Sequence, residues 1–402
     1  MSSSITRISD LCEQVRGVTY SKAEASLTPS EGYKPVIRAN NITENGLTFD
    51  DLVFVPKGRI NNRQSIKEND VVIATSSGSI DIVGKAARAL TDFDGGFGAF
   101  CKVLRPNNKV DAGYFSHFFR TKQYRQRVSA LASGANINNL RNEHLDDLEI
   151  QVPSIPEQRR IAVILDKADA LRTKRREAIA KLDQLLKSVF LDMFGDPVTN
   201  PKGWAKLPLQ DLCEAPDDIK CGPFGTQLAK SEFTKEGVPL WGIKNVNALF
   251  NRPTKEFVSA ETAKRLYAYS IQSGDIVMTR KGTVGNCAIY PKGFPTGIMH
   301  SDLLRLRVSE KHCAPIFVSY QLHESQDVEQ QMKLISGGAI MPGINVGRLK
   351  NLQVFVPPLA EQQTFAEVSE KFEQQKDRLQ HHANQLDALF ASLQHRAFAG
   401  EL

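Results

Sequence analysis

Apolar positions follow two different rhythms along this chain. From Pro156 to about Asp192 there is neither glycine nor another proline, and apolar residues recur on a seven-residue step. One row reads Ile161, Ala168, Arg175, Leu182 and Val189; a second, three places later, reads Ile164, Leu171, Ala178 and Leu185. That period predicts a long helix with a coiled-coil seam that carries one arginine. Pro153 and Pro156 stop the preceding strand, and Gly195 with Pro197 end the helix. Near the C-terminal end Phe365, Phe372, Leu379, Leu386 and Leu393 repeat the step, with a more polar companion row of Val368, Gln375, His382 and Leu389. At 1.5 Å per residue the first helix would be roughly 55 Å long, more than a small domain needs.

The other rhythm is short apolar runs broken by turn residues. Val71–Ala74 runs into Thr75-Ser76-Ser77-Gly78-Ser79, and Ile276–Met278 runs into Thr279-Arg280-Lys281-Gly282-Thr283. Lys34 to Ile42 reads as a strand holding Asn40-Asn41, and Val238 to Val246 as one holding Lys244-Asn245. Tyr114 to Leu131 and Pro315 to Leu334 have helical composition. The expected class is α+β, with mixed or antiparallel sheets.

These elements occur twice. Val152-Pro153 followed by Glu157-Gln158 returns as Val356-Pro357 followed by Glu361-Gln362, an offset of 204 that continues without a gap to Phe194 and Phe398. Earlier matches are looser: Asp10-Leu11-Cys12-Glu13 with Asp211-Leu212-Cys213-Glu214, and Asp70-Val71-Val72 with Asp275-Ile276-Val277. The chain is a tandem duplication. It divides into a globular domain over 1–152, a spacer helix over 153–197, a second globular domain over 198–355 and a second spacer helix over 356–402. Neither apolar stripe is stable in water, so the two helices are expected to pack together, antiparallel if a pseudo-twofold axis relates the halves. The basic run Arg172, Lys174, Arg175 and Arg176 is either a solvated face or a phosphate contact.

Composition narrows the chemistry. The 402 residues are 41% hydrophobic and 24% charged, as in an ordinary globular protein, and the net charge of +6 suits a polyanion without demanding one. The six cysteines form no C-x-x-C pair, the N-terminal stretch has no signal-peptide core, and no run is long enough to span a bilayer, so a reduced, cytoplasmic protein is expected. Enzyme motifs fail. Gly78 to Lys85 has the wrong glycine spacing for a phosphate loop, and Ala86 stands where its Ser or Thr belongs. Asp94-Gly95-Gly96-Phe97-Gly98 follows no clear strand. Pro216-Asp217-Asp218-Ile219-Lys220 crowds its acids into one loop, and the eight histidines form no metal set.

The duplicated Val-Pro…Glu-Gln helix entries, the long helices after them, the Ser133-Gly134-Ala135 and Ser336-Gly337-Gly338-Ala339 approaches, and the ends Phe194-Gly195-Asp196 and Phe398-Ala399-Gly400-Glu401-Leu402 resemble the specificity subunit of type I restriction-modification enzymes. The likeness covers essentially the whole chain. It implies two target-recognition domains that each read part of a split target in double-stranded DNA, with the helices as a ruler. It also implies a non-catalytic chain without cofactor or metal of its own. Two modification subunits would bind S-adenosylmethionine and methylate adenine, and restriction subunits needing ATP and magnesium would join that core.

On this reading, DNA contacts fall to polar residues at strand ends and loops: Lys34, Arg38, Asn40, Asn41, Ser76, Ser77, Ser79 and Lys85 in the first half. In the second they are Lys244, Asn245, Thr279, Arg280, Lys281, Thr283 and Asn286. Arg and Lys suit guanine edges and phosphates, and Asn suits adenine. Glu157, Gln158, Glu361 and Gln362 are candidates for docking the modification subunits, or else caps of the helix starts. Two rivals stay open from sequence: a coiled-coil scaffold whose ends bind protein, and a stand-alone DNA-processing enzyme.

Overall fold

A computed structural model of the chain describes residues 4–132, 138–336 and 343–402. The Ser133–Ala135 and Gly337–Ala339 approaches lie outside the described residues. The chain forms two compact units, one of Met1–Ile179 with Leu379–Leu402, the other of Ala180–Arg378. Boundaries drawn at the helix ends therefore differ from those of the fold, in which each unit owns one end of each long helix.

The first unit contains an antiparallel sheet in the order Cys12–Arg16, Cys101–Pro106, Val71–Ala74, Ala86–Arg88. The second unit repeats it as Ile219–Cys221, Leu303–Leu306, Ile276–Thr279, Cys287–Ile289. Val71–Ala74 and Ile276–Thr279 are buried along their whole length, as unbroken apolar runs require. Register repeats too: Val71 lies between Leu104 and Arg88, and Ile276 between Leu306 and Ile289. Just before these strands the buried Asp70 accepts two bonds from Arg105 at 2.9 and 2.8 Å, and Asp275 accepts two from Arg307 at 2.7 Å each. A second sheet is mixed in both units: Gly96–Phe97 runs parallel to Tyr33–Ile37, and Gly297–Met299 parallel to Val238–Trp241. The α+β expectation holds. A Cβ at Gly17 would sit 2.1 Å from the Gly98 carbonyl oxygen, and one at Gly222 2.1 Å from that of His300, so only glycine lets the chain pass there.

Local capping corrects several element ends. The first strand stops at Ile37, not Ile42, and the second at Trp241, not Val246, because an asparagine side chain turns the backbone in each case. The predicted single helices are pairs, Ala112–Phe118 with Lys122–Ala132 and Pro315–Glu324 with Gln326–Ile335. Thr121 and Ser325 break them by accepting a bond from the amide three residues on, at 3.2 and 3.4 Å.

The long helices are Ile155–Phe194 and Leu359–Ala399. In the first unit Arg160 donates to the Leu402 carbonyl at 2.7 Å and Arg172 pairs with Asp387 at 2.5 Å. In the second unit Lys376 pairs with Asp183 at 2.8 Å, and Phe365 meets Phe190 with ring centroids 5.4 Å apart. Rising numbers on one helix meet falling numbers on the other, so the pairing is antiparallel within each unit. The rows through Ile161 and Phe365 are buried or half-buried as expected, but both companion rows are displaced. They run four places on, not three: Leu165, Arg172, Ile179, Leu186 and Met193 on one helix, and Ser369, Lys376, Ala383, Phe390 and Ala397 on the other. Leu171 and Leu185, assigned to the seam by hydropathy, are 56% and 51% exposed. An arginine holds the seam instead: Arg172 lays its guanidinium over Phe390, 4.3 Å from the ring centroid, while Asp387 also binds Arg176 at 3.2 Å. Arg172 and Arg176 are thus internal cross-links rather than a free phosphate-binding face.

Each helix is fastened to its globular part by the glutamine of the Glu-Gln entry. Gln158 accepts from the Asp111 amide at 2.7 Å and donates to the Pro153 carbonyl at 2.8 Å. Gln362 accepts from the Ala314 amide at 3.0 Å and donates to the Pro357 carbonyl at 2.8 Å. Both side chains are buried, which removes them from the proposed docking face. Glu157 is half-buried and pairs with Arg160 at 2.6 Å, and Glu361 is half-buried as well. The cysteines among the described residues are unpaired, and burial pushes the Cys12 and Cys101 thiols up to about 12. Among the described residues, no helix is long and apolar enough to cross a membrane.

Gln362→Ala leaves two buried backbone groups unmatched and should lower the stability of the second unit by about 1–3 kcal/mol; an unchanged urea midpoint would show that the clamp does not stabilise it. A pH effect is expected at Asp166. The hydrogen bond with His117, 2.8 Å from Oδ1, outweighs burial and, with the charge of Arg88, holds the carboxyl below the usual range. Its contribution is full above the unfolded value of about 4 and disappears as pH falls through the lowered folded value. Asp166→Asn should flatten the acid limb of the unfolding curve, which a pH series of thermal melts would show.

Candidate nucleic-acid interface

Matching strand ends carry the candidate contacts in both units. At the first, Asn41 is buried and works inward: its Oδ1 accepts from the Arg38 amide at 2.9 Å and its Nδ2 donates to the Asp50 carbonyl at 2.7 Å. Asn245 does the same for Gly242 at 3.1 Å and Arg252 at 3.3 Å. These two asparagines build the turns and do not face solvent. Thr279 is also buried, its hydroxyl bonding the Thr283 and Asn286 carbonyls. The geometry therefore moves Asn41, Asn245 and Thr279 from the contact set to the scaffold.

Around them, other candidates reach the surface. Asn40 is exposed and shares Asp51 with Arg38, at 3.1 and 2.9 Å. Lys34 pairs with Asp94 near the start of its strand, away from the Asn41 turn. Ser76 and Ser77 form a two-residue ladder with Asn139 and Asn138, and Ser79 is exposed in the following turn. Lys85 is half-buried and Lys244 exposed, and neither has an ion pair among the described residues. In the second unit Lys281 is exposed and pairs with Asp302 at 3.0 Å. Thr283 and Asn286 both donate to Asn247, at 3.0 and 2.7 Å, which ties their loop to the helix Ile243–Asn247 that carries Lys244. Arg280 lies partly inward, over the Phe224 ring at 4.7 Å, with Nε donating to the Ile344 carbonyl at 3.0 Å. Lys244, Lys281, Thr283 and Asn286 are thus gathered on one edge, whereas Lys34 is not gathered with the Ser76 loop.

Exposed ion pairs of this kind contribute about 0–1 kcal/mol, so a phosphate can replace Asp94, Asp51 or Asp302 at small cost. Sequence reasoning missed Asn247, which has no motif around it. It also missed a polar cleft of about 470 Å³ in the first unit, lined by Arg16, Lys102, Asn139, Arg141 and Asn142. Burial in that cleft, with Arg16 nearby, lowers the Lys102 ammonium from its ordinary value. The cleft joins residues more than a hundred positions apart, so no local signal announced it.

The chain also has counterparts among known proteins. A family model for the type I restriction modification DNA specificity domain matches it twice, over residues 3–182 and 201–387. It is 30% identical to the type I restriction enzyme EcoKI specificity subunit of Escherichia coli (strain K12), covering 99% of this chain and 89% of that one. Identity to the StySPI specificity subunit of Salmonella potsdam is 28%, over 98% and 88% of the two chains. In fold it is similar to the type I restriction-modification system S subunit from M. genitalium, with a TM-score of 0.59, 16% identity and coverage of 99% and 96%. A chain from a structure of type I R-M complex assembly and conformational transition gives a TM-score of 0.55 at 18% identity, over 100% and 98%.

Two adjacent residues separate scaffold from contact. Asn245→Ala should destabilise the second unit by about 1–3 kcal/mol, whereas Lys244→Ala should stay within about 0.5 kcal/mol of the parent. Thermal melts of both variants giving equal shifts would contradict the division.

Proposed function

The chain belongs to the type I restriction-modification DNA specificity family, and from that premise we propose that each of its two units reads one part of a bipartite target in double-stranded DNA. One observation carries the reading. The same buried devices recur in both units: the Asp–Arg pair, the asparagine turn and the glutamine clamp. The loops they hold differ, Thr75-Ser76-Ser77-Gly78-Ser79 in one and Thr279-Arg280-Lys281-Gly282-Thr283 in the other. A scaffold kept constant while its surface chemistry changes suits two readers of two different sequences.

In this reading the loop amides and hydroxyls meet base edges and the lysines meet phosphates, so position and sequence are sensed by different side chains. The paired helices set the spacing between the half-targets and receive two modification subunits. Those subunits supply S-adenosylmethionine-dependent adenine methylation, and restriction subunits supply ATP- and magnesium-dependent cleavage, all in the cytoplasm. This chain itself binds and positions, and contributes no reacting group.

The test follows from the exposed lysines. Arg280 also supports the Ile344 backbone, so Lys244→Ala with Lys281→Ala is the cleaner variant. Losing two phosphate contacts should make the slope of log K against log salt shallower by about 2, with melting unchanged. An unaltered slope for DNA binding by the assembled complex would take these lysines out of the interface.

A further inference from the structure

In the second unit a groove of about 1330 Å³ opens between the strand Cys287–Ile289, the helix Pro315–Glu324 and this unit's share of the long helices. Its floor is apolar, with Leu186, Ala288, Ile316 and Ala366. Its rim is acidic, six carboxylates facing two lysines and the His323 imidazole, which hydrogen bonding to Cys287 raises to about 9. Asp183 and Glu373 share Lys376 at 2.8 and 3.5 Å, and Glu324 pairs with Lys187 at 3.6 Å. Glu310, Glu370 and Asp377 are exposed and have no ion pair among the described residues.

The first unit provides the internal comparison. The glutamine clamps and strand registers make Asp166 and Asp169 the equivalents of Glu370 and Glu373. They likewise make Arg88, His117 and Arg120 the equivalents of Ile289, Tyr320 and His323. In the first unit the carboxylates are matched within the chain: Arg88 and His117 reach Asp166 at 3.4 and 2.8 Å, and Arg120 reaches Asp169 at 2.6 Å. In the second unit both carboxylates persist and Glu373 pairs with Lys376 on its own helix, but an isoleucine and a tyrosine replace the two partners of Glu370. His323 bonds the Cys287 carbonyl at 2.7 Å instead of a carboxylate.

We propose that this groove receives a basic segment of the modification subunit, whose Lys or Arg side chains supply in trans the cations that Arg88 and His117 supply within the first unit. The inference rests on the partner named in the preceding subsection. An acidic rim repels DNA phosphates, which excludes the nucleic acid as occupant. The volume exceeds the roughly 300–1,000 Å³ of most small-molecule clefts. An apolar floor beneath charged edges accommodates the methylene stems of Lys and Arg while their heads meet carboxylates.

The experiment uses the full chain and its cognate modification subunit, with association measured by calorimetry at low and high salt. Glu310→Gln, Glu370→Gln and Asp377→Asn together keep shape and remove charge; Glu236→Gln, exposed and outside the groove, is the control. The triple variant should bind roughly tenfold more weakly at low salt and show a flatter salt response, while the control binds like the parent. A photo-cross-linking residue at Gln363 should attach to a peptide of net positive charge in the modification subunit. Unchanged affinity of the triple variant, or a cross-link to DNA or to an acidic peptide, would refute the groove and leave the assembly intact. Failure of the unaltered chain to bind the modification subunit at all would instead sink the partner reading, and the occupant with it.

Discussion

A buried glutamine amide at the start of each long helix is the contact on which the rest of each unit depends. Gln158 and Gln362 each bridge the prolyl carbonyl before the helix and the amide that opens the neighbouring domain helix. A neutral carboxamide, which offers both N–H donors and an acceptor oxygen, satisfies two buried backbone groups at once, and neither an ionised Glu nor a Leu of similar size can do that. The clamp fixes the direction in which the helix leaves the globular part. Within each unit the helix contacts inherit that direction, the Arg172–Asp387 pair in the first and the Phe190–Phe365 ring contact in the second.

Above this fixed base the two units have diverged where divergence costs least. Buried polar devices must be complete or absent, since a half-satisfied one is destabilising, and the Asp–Arg pairs and asparagine turns are complete in both copies. Exposed loops carry no such requirement. Serines occupy one edge and cationic residues the other, each resting on the same strand end. The spacer helices show the same logic with the sign reversed: carboxylates are retained on both, but the Arg and His that neutralise Asp166 in the first unit have no counterpart beside Glu370 in the second. A charge pattern preserved without its internal partner is a physical reason to look for an external one.

By itself the sequence determined the duplication, the α+β class, the two long helices and the family resemblance, because a constant offset and a seven-residue step survive whatever the side chains do in three dimensions. It also located the strand-end loops, since Gly and Asn mark turns locally. Only the tertiary structure decided what those residues do. Asn41, Asn245, Gln158 and Gln362 look like surface ligands in a linear reading, and burial makes them scaffold. Hydropathy placed the second seam row at Leu171 and Leu185, but an arginine stacked on Phe390 and paired with Asp387 packs better there than its charge suggests. Asn247, the polar cleft and the acidic groove were invisible because each joins residues distant in the chain. Periodicity is a property of neighbours in sequence, whereas burial and charge pairing are properties of neighbours in space.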